Sequence, residues 1–177
     1  VAPSIPVYKQ LLKIGVTKKR LFLLQNPMPP KNLELKSLNK RNFNLVFSGR
    51  PTYTKGFDRI IKYTNNDIII NYFGPKLKNS NKNIIYEGLY QNKSNALFDS
   101  KIVIIPSRFE GYPNIFLEAL NSGCFVILSN ELKWLLNDKI LNFIYVIEKN
   151  NVEDLKKKLI FINQKIKFDN KKKLLNR

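Results

Sequence analysis

Short apolar runs alternate with helix-like stretches along the sequence from residue 43 onward. The runs are continuous in valine, isoleucine and phenylalanine, a pattern typical of strands that are covered on both faces of a sheet. They predict strands over residues 43–48, 67–73, 83–86, 102–105, 125–128 and 143–147. The stretches between and after them predict helices over residues 57–63, 92–98, 115–121, 131–136 and 152–166. This strand–helix repeat predicts an α/β fold with a doubly wound parallel sheet.

The first 42 residues do not follow this repeat. Residues 8–14 have a helical pattern and residues 20–24 resemble a strand, but three prolines follow, at Pro27, Pro29 and Pro30. Proline-rich polar stretches are typical of loops and linkers. We therefore expect residues 1–42 to form a connector leading into a domain that spans residues 43–177.

Length and composition agree with one sizeable domain. The chain has 177 residues, of which 44% are hydrophobic, and domains average roughly 150 residues. The absence of histidine excludes every histidine-based mechanism in this chain. Its single cysteine, Cys124, excludes an intrachain disulfide and a cysteine cluster for a metal. We expect Cys124 and the single tryptophan, Trp134, to be packing residues.

The charge balance is strongly basic. Thirty-one lysine and arginine residues against 13 acidic residues give a net charge of +18. Three explanations remain open: the amino-acid bias of an AT-rich genome, attraction to anionic lipid headgroups, and nucleic-acid binding. No aromatic-basic stretch of the RNA-binding type and no zinc finger supports the last of these. We therefore expect no nucleic-acid partner.

The loop after the first predicted strand contains Gly49, Arg50, Lys55 and Gly56. Arginine can donate two hydrogen bonds to phosphate oxygens, and lysine acts as a mobile point charge. A phosphate-binding loop and an ordinary solvated surface loop both fit this pattern. In doubly wound sheets, ligands bind beyond the carboxyl ends of the strands, where the strand order reverses.

The loop after the fourth predicted strand leads into a helix near Pro113, a residue that suits a helix start. Gly111 lets the main chain approach a ligand, and the N–H groups between Tyr112 and Phe116 can bind an anion. The carboxylates of Glu110 and Glu118 can accept hydrogen bonds from vicinal hydroxyls. Equally, Glu110 can serve as a partner of the helix dipole and Glu118 as a surface acid.

A third loop, after the strand predicted at residues 83–86, contains Gly88, Leu89 and Tyr90. Its backbone groups and its aromatic ring can hold a nucleotide base. A plain turn explains the same residues.

The second loop resembles the signature segment of retaining glycosyltransferases of the group 1 type, which have the two-domain GT-B fold. The matching residues are Ser107-Arg108-Phe109-Glu110-Gly111-Tyr112-Pro113-Asn114-Ile115-Phe116-Leu117-Glu118-Ala119-Leu120, continuing from Ser122 to Ile127. Gly49-Arg50 with Lys55-Gly56 is similar to the phosphate-binding loop of this family. The segment from Gly15 to Pro27 is similar to its approach to the interdomain connector. Pro51 and Phe125 depart from the family pattern.

The resemblance implies a role for each matching residue. Arg50 and Lys55 would neutralise the diphosphate of a nucleotide-sugar donor, and Glu110 would hold hydroxyls of the donor sugar. Glu118 would bind the ribose, and Leu89 would border the base. The remaining predicted donor-site residues supply mostly backbone contacts: Gly49, Gly111, Tyr112, Pro113, Asn114 and Ile115.

The resemblance also implies what surrounds this chain. It would be the Rossmann-like donor-binding domain of a hexosyltransferase that uses a UDP or GDP sugar and no metal or other cofactor. Residues 1–42 would include the end of an N-terminal acceptor domain, absent here, so we expect a natural protein about twice as long. The enzyme would extend a surface polysaccharide or a lipid-linked oligosaccharide in the cytoplasm. From the charge of the chain, we further expect its lysine-rich surface to hold the complete enzyme in peripheral contact with an anionic membrane.

On this reading the 177 residues alone would bind nucleotide weakly and catalyse no transfer. The alternative is a non-catalytic module on the same fold that binds nucleic acid or an anionic surface. A second enzymatic alternative is an epimerase or phosphorylase on the two-domain fold. The pair of carboxylates and the absence of histidine argue against this last one.

Overall fold

A six-stranded parallel sheet forms the centre of the molecule. The computed structural model describes residues 1–27, 35–78, 81–89, 93–136 and 140–175. The strands are β1 (Phe43–Ser48), β2 (Ile70–Phe73), β3 (Ile84–Gly88), β4 (Ser100–Ile105), β5 (Phe125–Ser129) and β6 (Ile144–Ile147). Their order is β3-β2-β1-β4-β5-β6, and every neighbouring pair is parallel. The predicted doubly wound α/β fold is thus confirmed, and the strand order reverses between β1 and β4.

Five α-helices accompany the sheet in the described part of the chain. They are α1 (Ile5–Lys13), α2 (Phe57–Thr64), α3 (Lys93–Phe98), α4 (Asn114–Asn121) and α5 (Val152–Leu175). Short 3₁₀ turns lie at Lys18–Arg20, Leu38–Lys40, Asn130–Leu135 and Leu141–Phe143. No helix in the described ranges is long and apolar enough to cross a membrane.

The structure differs from the predicted elements in several places. The helix predicted at residues 131–136 is a 3₁₀ turn, because Leu132 and Leu135 are both buried and residues three apart align in a 3₁₀ helix. Asp67 has a positive φ of 65°, which belongs to a turn, so β2 begins later than predicted. Residues 20–24 form no strand; Leu23 makes only an isolated parallel bridge to Ala2. Asn92, at the predicted start of α3, lies outside the described residues.

Both faces of the sheet are covered by apolar side chains. Alternate residues of one strand enter different layers: Ile102 and Ile104 pack in one, Val103 and Ile105 in the other. The first layer is completed by α2 and α5, and the second by α3, α4 and the 3₁₀ turn at Asn130–Leu135. Continuous apolar strands are therefore required, as the sequence pattern indicated.

A buried arginine joins the amino ends of three strands. Arg41 is 4% exposed, and its Nη1 donates to the Ser100 carbonyl at 2.7 Å while its Nε donates to the Lys36 carbonyl at 3.1 Å. Its Nη1 also lies 3.5 Å from Cys124 Sγ. The Cys124 thiol donates in turn to the carbonyls of Leu97 and Ser100. Cys124 is fully buried, as expected of a packing residue, and burial raises its pKa to about 12.

The raised pKa predicts that the Cys124 thiol is inert in the folded protein. A free cysteine has a pKa near 8.5, so at about pH 8 the folded thiol should react with iodoacetamide more than about a thousandfold slower than the unfolded thiol. Because the folded pKa is raised, the contribution of this thiol to stability is complete below about pH 8.5 and is lost as the pH rises toward 12. Mass spectrometry of alkylated protein with and without denaturant measures this, and rapid labelling of the native protein would contradict it.

Candidate functional site

A cavity of about 360 Å³ lies where the strand order reverses, beyond the carboxyl ends of β1 and β4. Its walls come from the ends of these two strands, the loops that follow them and the start of α4. The lining residues are Phe47, Ser48, Gly49, Lys55, Ile104, Ile105, Ser107, Glu110, Tyr112, Pro113, Asn114, Ile115 and Glu118. Its position is the one that the doubly wound topology favours for ligand binding.

An ion pair connects the two loops inside the cavity. Lys55 Nζ lies 2.7 Å from both carboxylate oxygens of Glu110, and Glu110 is only 9% exposed. The hydroxyl of Ser107, itself buried, donates to Glu110 Oε1 at 2.7 Å. The Ser129 hydroxyl donates to the Ser107 carbonyl, which links this arrangement to the end of β5. Glu110 is therefore fixed by hydrogen bonds from two different side chains.

The start of α4 presents open hydrogen-bond donors to the cavity. Pro113 precedes the helix in an extended conformation, and Asn114 is its first residue. The N–H groups of Asn114 and Ile115 have no acceptor among the described residues. Such donors, with the positive end of the helix dipole, attract anions. Glu118 lies one turn further along and lines the same cavity; its carboxylate has no hydrogen-bond or ion-pair partner in the described ranges.

The backbones of the two loops approach each other at Gly56. This residue has φ 71° and ψ 29°, in the left-handed region, and a Cβ atom there would overlap the carbonyl of Pro106. Only glycine meets both requirements without strain. The close approach places the loop containing Lys55 beside the loop containing Glu110.

Arg108 holds the same two loops together from the outside. Its guanidinium donates two hydrogen bonds of 2.7 Å to the carboxylate of Asp58 and one to the carbonyl of Tyr53. It also lies over the Tyr53 ring, 3.6 Å from the centroid. The hydrogen bond from Arg108 lowers the pKa of Asp58, so this pair persists until the pH falls below the usual range of a carboxyl group.

A second arginine extends this connection to β5. Arg59 Nη1 donates to the Pro106 carbonyl at 2.9 Å, and the guanidinium pairs with Glu131. Three successive loops at one edge of the sheet are thus fixed by arginines from the loop after β4 and from α2.

Most of the residues predicted from the sequence line this cavity: Gly49, Lys55, Glu110, Tyr112, Pro113, Asn114, Ile115 and Glu118. Arg50 follows Gly49 in the chain but is not among the lining residues; it is exposed, and its side chain has no hydrogen-bond partner in the described ranges. Gly111 faces Pro3 rather than the cavity. Leu89 is 61% exposed and follows β3, two strands away from β1. Tyr90 lies outside the described residues.

The sequence reasoning missed Asn26. Its side-chain amide donates to the Tyr112 carbonyl at 2.9 Å and to Asn114 Oδ1 at 2.6 Å, which ties the N-terminal segment to the start of α4. An asparagine immediately before a proline-rich stretch gives no sequence signal of such a distant contact. A tertiary contact of this kind is visible only in the structure.

Among the described residues, no three acidic or cysteine side chains lie close enough together to hold a metal ion. The expectation that the reaction needs no metal remains a prediction.

The Gly56 contact predicts a specific loss of stability. Gly56→Ala combines left-handed backbone strain, about 1 to 3 kcal/mol, with a steric overlap on Pro106, so we expect it to lower the free energy of unfolding by more than the strain alone. Gly88→Ala is the matched control, because Gly88 also has a positive φ, 95°, but nothing lies within 4 Å of a Cβ there. Urea unfolding followed by circular dichroism compares the two. Equal losses would show that the loops do not need this close approach.

The fold is similar to those of solved GT-B glycosyltransferases over 92% of this chain. The crystal structure of TarM matches with a TM-score of 0.66 at 18% identity. A mutant of S. aureus TarM in complex with Fondaparinux, alpha-GlcNAc-glycerol and UDP gives 0.69 at 18% identity. Anabaena HepE in complex with UDP and glucose gives 0.71 at 13% identity. The chain spans 36% of the TarM chains and 52% of the HepE chain.

No curated protein sequence matches the chain significantly. The model of the family described as glycosyl transferases group 1, however, matches residues 36–164, which include all six strands and the whole of the cavity lining. The chain belongs to this glycosyltransferase family.

Proposed function

We propose that this chain is the donor-binding part of a retaining glycosyltransferase. The enzyme would transfer a hexose from a UDP or GDP sugar to a growing glycan, such as a surface polysaccharide or a lipid-linked oligosaccharide. One observation carries the proposal: a single cavity at the switch point of the sheet collects a lysine, two carboxylates and the open N–H groups of a helix start. A sugar nucleotide has an anionic centre between two sets of hydroxyls, and this set of groups complements it.

The diphosphate is assigned to the start of α4. The N–H groups of Asn114 and Ile115 can donate to phosphate oxygens, and the helix dipole favours negative charge there. Lys55, which lines the same cavity, adds a positive charge. Arg50, which follows Gly49 in the chain, is exposed, and its donors are free to turn toward the diphosphate. These charges stabilise the diphosphate as it accepts the electron pair of the breaking glycosidic bond. In this proposal these charges stabilise the leaving group without a metal ion.

When the donor binds, Lys55 exchanges one partner, the carboxylate of Glu110, for another, the diphosphate. Lys55 is bound to both oxygens of Glu110 and is 31% exposed. A diphosphate offers Lys55 more negative charge than one carboxylate does. When Lys55 turns toward the phosphates, the Glu110 oxygens become able to accept hydrogen bonds from the sugar. Ser107 keeps Glu110 in place during this exchange.

Glu118 is assigned to the ribose. It lies one helical turn beyond the proposed phosphate position and has no protein partner in the described ranges. Its two oxygens can accept hydrogen bonds from two neighbouring hydroxyls. The solved complexes named above support a nucleoside diphosphate as the ligand of this fold, because HepE and the TarM mutant were each crystallised with UDP.

The rest of the reaction needs residues outside this chain. Because the chain spans 52% of HepE and 36% of TarM, we propose that a further domain binds the acceptor. Asn26 and Pro3, which contact the loop between β4 and α4, would bring the acceptor side of the protein next to the donor.

Calorimetric titration with UDP, GDP, ADP and CDP tests the nucleotide assignment. We expect one or two of these ligands to bind, and we expect UDP or GDP to bind most tightly. Glu118→Ala should weaken binding by about 1.5 to 3 kcal/mol, the value of a charge-assisted hydrogen bond. Glu153→Ala is the control: it removes the same charge from an exposed position on α5, outside the cavity lining, and should leave binding unchanged. Equal effects of the two variants would contradict the ribose role of Glu118.

Lysine variants distinguish specific binding of the donor from general attraction to polyanions. Lys55→Gln should weaken UDP or GDP binding about tenfold or more, whereas Lys62→Gln, which removes an exposed charge on α2, should not. Polynucleotide binding by the wild-type protein, measured over a salt titration, provides the comparison. A steep salt slope with polynucleotide, together with no binding of free nucleoside diphosphate, would favour the alternative of a nucleic-acid-binding module.

A further inference from the structure

Asn26 contacts the start of α4 from a distant part of the chain. It lies outside residues 36–164, the part that the family model matches. Its Nδ2 donates to two acceptors, the Tyr112 carbonyl at 2.9 Å and Asn114 Oδ1 at 2.6 Å. Asn114 lines the donor cavity, whereas Asn26 does not. Any effect of Asn26 on a ligand must therefore pass through the residues that it holds.

The hydrogen bond to Tyr112 determines which way both side-chain amides are turned. A backbone carbonyl only accepts hydrogen bonds, so the Asn26 atom beside it must be the nitrogen. That nitrogen has a second hydrogen, which it donates to the side chain of Asn114. The Asn114 atom that accepts this hydrogen must be the oxygen, Oδ1. The Asn114 nitrogen, Nδ2, is therefore turned away from Asn26, and it has no partner among the described residues.

The N-terminal segment that carries Asn26 is itself packed against the loop before α4. The Leu24 N–H donates to the Ala2 carbonyl at 2.9 Å, and Ala2 is fully buried. The next residue, Pro3, lies so close to Gly111 that a Cβ there would be 3.1 Å from Pro3 Cγ. Asn26 is therefore held in place by its own segment and can in turn hold Asn114.

The orientation of the Asn114 amide matters for an anion. A side-chain amide can present either N–H donors or a carbonyl oxygen, and the oxygen would repel a phosphate group. Rotation about the terminal torsion, which is broad and roughly two-fold, exchanges the two. The contact with Asn26 selects the orientation in which the free atom is the donor. The backbone N–H groups of Asn114 and Ile115 are open at the same helix start.

We propose that Asn26 is a positioning residue for the donor diphosphate. It holds the Asn114 amide with Nδ2 toward the cavity, where Nδ2 donates to a phosphate oxygen beside the open backbone N–H groups. This inference rests on the proposed function, which assigns the diphosphate to the start of α4. The alternative is a purely structural role, in which Asn26 stabilises the loop through the Tyr112 carbonyl and acts independently of the Asn114 side chain.

A double-mutant cycle, measured by calorimetry, tests the proposal with two ligands: inorganic pyrophosphate, and whichever of UDP and GDP binds more tightly. Asn114→Ala should weaken the binding of both about tenfold, because it removes a hydrogen bond to a charged group. Asn26→Ala should weaken binding about fivefold, because the ligand must then order the Asn114 side chain itself. In the Asn114→Ala background the same Asn26→Ala change should weaken binding less than about twofold.

Two isosteric variants reverse the polarity of the contact. Asn26→Asp supplies only acceptors, so Asn114 must turn its Nδ2 toward residue 26, and binding should weaken more than in Asn26→Ala. Gln25→Glu is the control, because it adds the same charge at an exposed neighbour outside the cavity lining and should change binding less than about twofold. Asn114→Asp keeps the acceptor for Asn26 but lacks the Nδ2 donor, so it should retain stability and weaken binding more than about tenfold.

Urea unfolding followed by circular dichroism establishes that each variant is folded. Equal effects of Asn26→Ala in the two backgrounds, or unchanged binding in Asn114→Asp, would overturn the positioning role and leave the donor site in place. Pyrophosphate binding with the expected coupling, but without binding of any nucleoside diphosphate, would overturn the nucleotide assignment alone. Binding of neither ligand to the wild-type chain would overturn both.

Discussion

The candidate site depends on the contact between the loop after β1 and the loop after β4. Parallel strands bring their carboxyl ends to one edge, but in this sheet the helices that follow β1 and β4 lie on opposite faces, and their loops would diverge without a direct link. Gly56 allows the backbones to touch at Pro106, and Arg108 fastens the loops through Asp58 and Tyr53. The Lys55–Glu110 pair forms inside this junction. The charged groups of the cavity are therefore positioned by backbone contact first and by electrostatics second.

The two arginines and the lysine of this junction have different roles. Arg108 and Arg59 have two-pronged guanidinium groups, and both are occupied by carboxylates and by carbonyls of the junction. Planar, forked donors suit fixed structural contacts. Lys55, in contrast, holds Glu110 through a single flexible ammonium group. It can exchange partners without disturbing the junction, as the proposed binding of a diphosphate requires.

The strands could be predicted from the sequence, because a parallel sheet covered on both faces requires uninterrupted apolar runs such as 102–105 and 125–128. The start of α4 could also be predicted, because Gly111 is typical of a loop and Pro113 suits the beginning of a helix. The junction itself could not be predicted: the Arg108–Asp58 pair joins residues fifty positions apart, and neither residue signals its partner. The contact of Asn26 with Tyr112 and Asn114 depends likewise on tertiary structure. The spacing of apolar residues at 131–136 fits an α-helix as well as the 3₁₀ turn that forms, so the sequence pattern alone does not distinguish the two.

The net charge of the whole chain bears on why Glu118 forms no ion pair in the described ranges. Lysine and arginine outnumber the acids by 31 to 13, so an exposed carboxylate has many available partners. Asp58, Asp99, Glu110, Glu131 and Glu148 all form ion pairs with them. Glu118 forms none within the described residues, although it is only half-buried and lines a cavity that contains Lys55. Its position on α4, facing the cavity beyond the open N–H groups, keeps it apart from the cations and leaves both oxygens available. Asp67 and Glu153 also form no ion pair in the described ranges, so Glu118 is distinguished by its place in the cavity wall, beside the open N–H groups of α4.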